Sequence, residues 1–587
     1  MNGYYIKRIG ANRGKPRIWL ENQMLTRANL QPGDKYEISI KGGAFVLRAD
    51  PNGSRVISGK ENKRTGEMYP VLDINSAELL SLFDGMESVR LVTRENEIHF
   101  LPLATEIRKK ERLQRLKMKV QSDTPLDMAS LSHGGGLMSH AIKEGFAEAG
   151  IKTRDSFLNE IRPELLDHSY AVHDWDQNTQ AIGAPMQEFA MDEAAMRKVN
   201  RADIVEAGLP CSGASVAGRA KRKTAIPEDH PEVGHLVVAA LMIMARLNPA
   251  VICLENVEPY ASSASASILR NQLRDMGYST HERLLHGEEF NALEHRERWA
   301  MVAVTEGMHF DWSMLELPER KTLKVADILD DVPDDDPSWS AMPGLKAKQA
   351  RDIAAGKNFL MQIVTPDDEK IPTMTKGMTK NRSTDPKFQH PKDPELLRVP
   401  FVSEHAKAKQ YPPSIVANLS KTLAHEILGQ AVLKEPFKAT GKAMAQSILN
   451  YAHDNDIDDV AELAKRLCEE ITDYANLVVD NIRAPVAGVS YTGRITVNDL
   501  GVAIQDIGNG VGIMHRHDSV TACNLGEEVT IRYQSKKSDP YVGRTEKKAP
   551  AQTEEVKAAM IAAHENQLNQ QTLFDEPAPS TSMPRMR

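Results

Sequence analysis

The sequence predicts an α/β core flanked by smaller modules, and three observations predict it. From Leu126 to about Val304, short apolar runs of strand type alternate with helical ones. Two of those runs end in residues with chemical potential, Pro210-Cys211 and Glu255-Asn256, where open α/β sheets place their sites. The chain of 587 residues, 41% hydrophobic and 26% charged, is long enough for several cores. Candidate strands are Tyr170–Val172, Asp203–Glu206, Val251–Leu254 and Trp299–Val304. Candidate helices are Ser139–Ala149, His235–Leu247 and Ala266–Met276. This alternation predicts a doubly wound parallel sheet.

Residues 1–105 alternate apolar and polar between turn signals such as Pro51-Asn-Gly, which predicts a small β-rich domain. Within it, Ile18–Lys35, ending in a Pro-Gly-Asp turn, resembles AbrB-like swapped-hairpin DNA-binding modules. No internal repeat is evident in the sequence. Residues 106–123 form a basic linker helix. Arg108 to Lys119 carries seven basic side chains and one acid, readable as a solvated connector or as a phosphate-contacting helix. Asp327 to Asp336 carries six aspartates, so the net charge of −8 hides a bipolar chain, and nucleic acid remains an admissible partner. Residues 308–398, rich in Pro, Asp, Lys and Thr, interrupt the alternation, which resumes with a helix at Ser414–Leu428. A helical segment over 440–482, a β-like module over 486–533, and a polar helix with a disordered tail from 546 to 587 are expected beyond it. Four scattered cysteines exclude a disulfide scaffold and a zinc ribbon, and no signal peptide or membrane-length apolar run is present, so a cytoplasmic location is expected.

Four constellations carry the chemistry. Leu131-Ser-His-Gly-Gly-Gly-Leu precedes a helix, where glycines let backbone N–H groups approach a ligand, or simply make a turn. His173-Asp-Trp-Asp, at the end of a predicted strand, offers an acid for a ribose and an indole face for a purine. Pro210-Cys211 closes another strand, and Arg219, Lys221, Arg222 and Lys223 behind it would favour a thiolate or bind phosphates. A carboxylate ending the apolar strand at Glu255 needs a partner or a task. Glu294-His-Arg-Glu-Arg-Trp completes the set.

In this order and spacing, about Leu126–Leu433 resembles the DNA (cytosine-5) methyltransferase family. The resemblance implies a Rossmann-like S-adenosylmethionine-dependent methyltransferase sheet with an inserted target-recognition domain, here about 308–397, closed by a return helix over 398–434. It implies Cys211 as nucleophile, Glu255 at ring nitrogen 3 of cytosine, and Arg296 and Arg298 as active-site arginines. Leu131, Gly135, Gly136, Asp174, Trp175, Glu188, Pro210 and Ser414 would contact S-adenosylmethionine. Asn256 would orient the strand end. The mobile basic stretch Ser212–Lys223 would clamp a flipped base, and Lys376, Lys380, Asn381, Arg382 and Lys387 would meet phosphates and base edges. The sequence departs from the family in three places. In the glycine loop Leu131 replaces a phenylalanine and His133 a glycine; Glu294 replaces a glutamine and adds negative charge near a DNA-facing site; and Pro412-Pro413 replaces Gly-Asn.

The resemblance implies a monomer acting on double-stranded DNA near the nucleoid, as in restriction-modification. A tRNA cytosine-5 methyltransferase and a catalytically silent DNA binder using the N-terminal domain and basic helix are the alternatives. Residues 493–533 resemble KfrB-like modules. His515 and His517 there are readable as surface histidines or as two metal ligands. Gln570-Gln-Thr-Leu-Phe574 resembles a sliding-clamp-binding pentapeptide, implying clamp docking.

Overall fold

The computed structural model describes residues 2–41, 44–83, 86–210, 226–357, 360–454, 481–483, 485, 490–499, 502–507, 511–524, 526–533 and 539–544. The chain divides into two compact units, residues 1–467 and 468–587.

The first unit opens with a β-rich domain that does contain a repeat. The succession Lys15–Glu21, Gln23–Thr26, Lys35–Lys41, Ala44–Ala49 recurs as Met68–Ile74, Ala77–Ser81, Ser88–Arg94, Glu97–Leu101. The copies pair about a pseudo-two-fold axis: Ile18 faces Ile74 as Glu21 faces Val71, and Phe45 faces Phe100 as Leu47 faces Ile98. Only the apolar pattern is shared. Tyr36, Phe45 and Leu47 in one copy correspond to Val89, Ile98 and Phe100 in the other, so residue identity concealed the duplication.

The basic helix α1 (Ala104–Gln121) is neither solvated connector nor phosphate clamp. It lies across the amino-terminal edge of the central sheet with Arg112 and Arg115 only 1% and 2% exposed. Arg115 Nε donates to Asp203 Oδ1 at 2.8 Å, and Lys119 bridges Asp127 and Asp203. Arg112 Nε donates to Thr305 Oγ1 at 2.8 Å, and its guanidinium stacks 3.7 Å over the Tyr278 ring. Buried carboxylates and backbone carbonyls take up its charge, which is why composition alone misplaced it.

The central sheet contains β1 (Leu126–Leu131), β2 (Thr153–Asn159), β3 (Gln180–Ile182), β4 (Ile204–Gly208), β5 (Val251–Asn256), β6 (Tyr278–His286) and β7 (Glu297–Thr305), in the order β3-β2-β1-β4-β5-β7-β6. Strands β3 to β5 in this order pair in parallel, while β7 runs antiparallel to both β5 and β6. The sheet is therefore mixed, not wholly parallel: the Rossmann-like methyltransferase arrangement with one strand reversed. Tyr170–Val172 is not a strand but the last turn of α3 (Pro163–Val172).

Helices cover both faces. Helices α4 (Met186–Met191), α5 (Leu236–Leu247) and α6 (Ala264–Asp275) bury one side with Phe189, Ile243 and Leu269. On the other side, α2 (Leu137–Glu148) packs against α9 (Lys434–Asp454). Two glycines permit that crossing: a Cβ on Gly145 would collide with the Lys438 carbonyl, and one on Gly441 with the Ile142 carbonyl. The start of the expected separate helical segment thus belongs to the core of the central sheet; residues 455–480 lie outside the described residues. Met308, Phe310 and Leu315, placed by sequence in the recognition region, also join this core.

The segment expected to read the target has its own cluster of Val325, Val364, Met374, Met378 and Phe388, with a small sheet of Gln362–Val364, Pro386–Gln389 and Leu397–Arg398. Lys387 does not reach outward for phosphate. It is fully buried, and its ammonium donates to Arg382 O and Asp385 O at 2.8 and 2.9 Å. Helix α7 (Val402–Ala408) leads to the return segment, which is not one long helix. Pro412 and Pro413 lack N–H donors, so a 3₁₀ turn (Pro413–Val416) forms, and Ser420 caps a new helix, α8 (Lys421–Gln430).

In the second unit, a six-stranded sheet runs Asn481–Arg483, Val511–His515, Val502–Asp506, Ser490–Asp499, Glu528–Arg532, Tyr541–Arg544. His515 is not a surface histidine: it is fully buried, 3.1 Å from Tyr533 Oη and 3.2 Å from Gln505 Oε1. His517 lies beside Asp539 at 3.1 Å. Among the described residues no cluster of three or more such side chains could hold a metal, and no helix is long and apolar enough to cross a membrane.

Candidate active site

The carboxyl ends of β4 and β5 form the centre. Register places Gly208 beside Glu255, and a Cβ at Gly208 would lie 3.5 Å from Glu255 Oε2. Because β7 is reversed, its first residues reach this same edge, and Arg298 Nε sits 2.6 Å from Glu255 Oε1. The strand-end carboxylate thus has its partner. Asn256, 1% exposed, donates from Nδ2 to Leu209 O at 3.0 Å and accepts the Val257 N–H at 2.9 Å. It ties the end of β5 to the residue just before half-buried Pro210. Cys211 and the basic stretch Ser212–Lys223 lie outside the described residues.

Arg296 is almost fully buried, its Nη1 3.6 Å from Glu294 Oε1. Glu294 adds no charge to a DNA-facing surface. It is wholly buried, and Oε1 accepts from Lys409 Nζ at 2.8 Å and from the Met374 N–H at 3.1 Å. One carboxylate therefore joins Arg296, the Met374 backbone and the end of α7. Beside it a cavity of about 130 Å³ is lined by His286, His295, Arg296, Glu297, Arg320 and Lys370.

The glycine loop lies at the end of β1. Leu131 is fully buried between Asn159 and Ala207. Ser132, Gly134 and Gly136 have positive φ (57°, 58° and 80°), the left-handed conformation that glycine adopts freely. Gly135 must lack a side chain because a Cβ would stand 2.8 Å from Ile427 of α8. His173 Nε2 donates to Gly135 O at 3.3 Å, and burial lowers this imidazole to about 4.

Sequence spacing chose Asp174 as the strand-end acid, but Asp174 is exposed and follows α3. The acid that ends β2 is Glu160, 7% exposed, whose Oε2 accepts the Gly134 N–H at 2.8 Å and Oε1 the Arg162 N–H at 3.1 Å. The signal was available, since Glu160 lies nearer the interval of about 20 residues expected between such a loop and its acid. Trp175 is half-buried, edge-on to Tyr170 with centroids 5.5 Å apart, and its indole N–H is buried without an acceptor. Glu188 on α4 and Ser414 on the 3₁₀ turn are exposed.

Beneath the loop runs a polar chain that sequence reasoning missed. His133 Nδ1 lies 2.9 Å from Ser130 Oγ, and Nε2 lies 2.7 Å from Ser169 Oγ. Ser130 in turn donates to Glu206 Oε1, which also accepts from Ser139 Oγ at 2.6 Å. Burial pushes Glu206 up to about 7 against the pull of the two hydroxyls, with Asp155 and Glu255 adding to the rise.

The profile of C-5 cytosine-specific DNA methylases matches residues 140–440, half of the sequence and nearly all of the sheet and return helices just described. The chain belongs to that family. Among relatives of this methylase, Type II methyltransferase M.HpaII of Haemophilus parainfluenzae is 24% identical over 302 residues, covering 47% of this chain and 83% of the relative. Type II methyltransferase M.HhaI of Haemophilus parahaemolyticus is 25% identical over 165 residues, 27% of this chain and 48% of that relative. Thus the match spans under half of one relative and most of the other. Among solved structures, the S. pombe Dnmt2 methyltransferase aligns with 56% of the chain and 99% of its own, at 18% identity and a TM-score of 0.43. The Entamoeba histolytica methyltransferase EhMeth aligns with 56% and 98%, at 15% identity and a TM-score of 0.41.

Proposed function

We propose that this methylase transfers a methyl group from S-adenosylmethionine to carbon 5 of cytosine in a specific duplex DNA sequence. The observation that carries the reading is the Glu255–Arg298 pair, set by register beside the strand end that delivers Pro210 and Cys211. Carbon 5 of cytosine is a poor nucleophile. Addition of the Cys211 thiolate to carbon 6 makes an enamine whose carbon 5 attacks an electrophilic methyl group; loss of the carbon-5 proton to a base then breaks the carbon 6–sulfur bond, restores the ring and returns the thiolate. Glu255 holds ring nitrogen 3 and drains the charge that builds there, while Arg298 meets the carbonyl oxygen at carbon 2. Asn256 ties Leu209, the residue before Pro210, to the end of β5. Arg296 fixes the recognition side of the site through Glu294. The target base must leave the duplex, at about a few kcal/mol.

The residues present suit the cofactor. A strand-end carboxylate for ribose hydroxyls (Glu160) and a glycine loop with backbone amides meet at one corner of the sheet, and Trp175, two residues after the His173 that bonds Gly135, has an indole N–H without an acceptor. S-adenosylmethionine would supply the electrophilic methyl group there. Glu160 would bind the ribose, Gly134–Gly136 would follow the methionine end, and Trp175 and α8 would border the adenine.

The tRNA alternative uses the same residues. Methyl transfer from labelled S-adenosylmethionine into duplex DNA and into tRNA, side by side, separates the two. Incorporation into DNA alone supports this proposal; incorporation into tRNA alone overturns the substrate. The silent-binder alternative loses one support, because the charge of α1 is spent inside the fold. Docking of Gln570–Phe574, outside the described residues, on a sliding clamp, action as a monomer, and a cytoplasmic location near the nucleoid are parts of the same proposal.

A further inference from the structure

We propose that His133 and Glu206, with Ser130, Ser139 and Ser169, form a buried positioning chain that fixes the cofactor loop, so that His133 is a working link where the family carries glycine. The inference rests on the S-adenosylmethionine reading above and names how this chain holds that site.

Donor and acceptor counting fixes the chain's direction. Glu206 Oε1 receives both the Ser130 and Ser139 hydroxyl protons. Ser130 has spent its one proton, so its oxygen must accept from His133 Nδ1–H, and His133 Nε2 must accept the Ser169 hydroxyl. Each of these contacts is thereby satisfied with His133 neutral, and burial, with His173 and Lys143 nearby, holds the imidazole neutral down to about 3. Ser130, Ser139, Ser169, Glu206 and His133 are all 7% exposed or less, so none of these bonds can be replaced by bulk water.

The chain ties together the elements that must agree if the loop is to be held: β1 through Ser130, α2 through Ser139, α3 through Ser169 and β4 through Glu206. It also reaches the ribose corner. The His133 N–H donates to Asn159 O at 2.9 Å, its carbonyl accepts the Gly136 N–H at 3.0 Å, and the next amide, Gly134, is the one that holds Glu160. His133 is therefore flanked by the left-handed residues Ser132 and Gly134, whose conformation needs support from its surroundings. A glycine at 133 would restore the family pattern while leaving two buried hydroxyls, Ser130 and Ser169, without their link. These residues act on the cofactor through the loop, as positioning residues.

The test measures S-adenosylmethionine binding to the full chain by calorimetry, with steady-state kinetics alongside. The expected result is that His133→Gly, despite restoring the family residue, weakens binding by about tenfold or more. KM for S-adenosylmethionine should rise while kcat at saturating cofactor stays within about threefold of wild type. Ser130→Ala should lose a similar factor, and the double variant little more than either single one, as members of one network behave. Should His133→Gly fail to fold, Ser169→Ala removes only the terminal hydroxyl and should still weaken binding about threefold. Equal binding by wild type and His133→Gly, or by Ser169→Ala where that variant stands in, overturns the positioning chain and leaves the cofactor reading intact. Fully additive losses also overturn the chain. Absence of binding by the wild type overturns both.

Discussion

Lys409 Nζ lies 2.8 Å from Glu294 Oε1, and neither side chain has any exposed surface. Burial and the neighbouring Arg296 guanidinium both disfavour the charged form of Lys409, while Glu294 favours it. The glutamate that replaces the family's glutamine is thus one half of a compensated pair. Glu294→Gln should destabilise the protein by about 3–5 kcal/mol, because a buried ammonium loses its counter-charge. Adding Lys409→Met should recover most of that loss. Urea denaturation of the two single variants and the double variant measures the coupling; additive losses would contradict it.

Arg115 makes a separable prediction. Its guanidinium is buried against Asp203, Ala202 O and Asn248 O. Arg115→Ala should lower stability by about 3–5 kcal/mol by leaving Asp203 without this partner. At temperatures where the variant is folded, its affinity for DNA should match wild type, as should the salt slope, since no phosphate contact is lost. A salt slope reduced by about one would instead place Arg115 on the nucleic acid.

Asn256 should act on rate more than on stability. Its Nδ2 bond to Leu209 O links the β5 end to the residue just before Pro210. Asn256→Ala should lower kcat by about tenfold or more, with KM for S-adenosylmethionine little changed, as measured by initial rates over a cofactor series.

Glu206 predicts a pH dependence of stability. Its folded value of about 7 lies above the unfolded carboxyl value of 4.5, chiefly through burial. The acid's contribution is therefore fully present below about 4.5 and is lost as pH rises through about 7, a swing of roughly 3 kcal/mol. The charged or titratable groups around it are Asp155, Glu255, Cys253 and His133. Glu206→Gln removes this ionisation, so its melting temperature relative to wild type should climb between pH 5 and pH 8. A constant difference across that range would contradict the assignment.

What the sequence made legible followed its strongest patterns. The apolar run Val251–Leu254 and the amphipathic Ala266–Met276 became β5 and α6 nearly as expected, because burial alone decides them. Tyr170–Val172 misled because a three-residue apolar run is equally a helix end, so Asp174 follows a helix and the acid that follows a strand is Glu160. The basic helix misled for a different reason. Charge seen in sequence carries no information about whether Asp203 and Thr305 wait across the fold. Lys409 and Glu206 were illegible likewise: their partners lie 115 and 76 residues away, and only tertiary packing brings them together. The glutamine-to-glutamate and glycine-to-histidine departures were visible, but their compensations were not.

The central claim is methylation of carbon 5 of cytosine in duplex DNA through Cys211. Single-base conversion sequencing of DNA from cells expressing wild type or Cys211→Ser tests it most directly. The account predicts protected cytosines at one recurring short motif with wild type and none with the serine variant. Protection that persists in Cys211→Ser would contradict the nucleophile, and no protection with soluble, cofactor-binding wild type would contradict the DNA substrate itself.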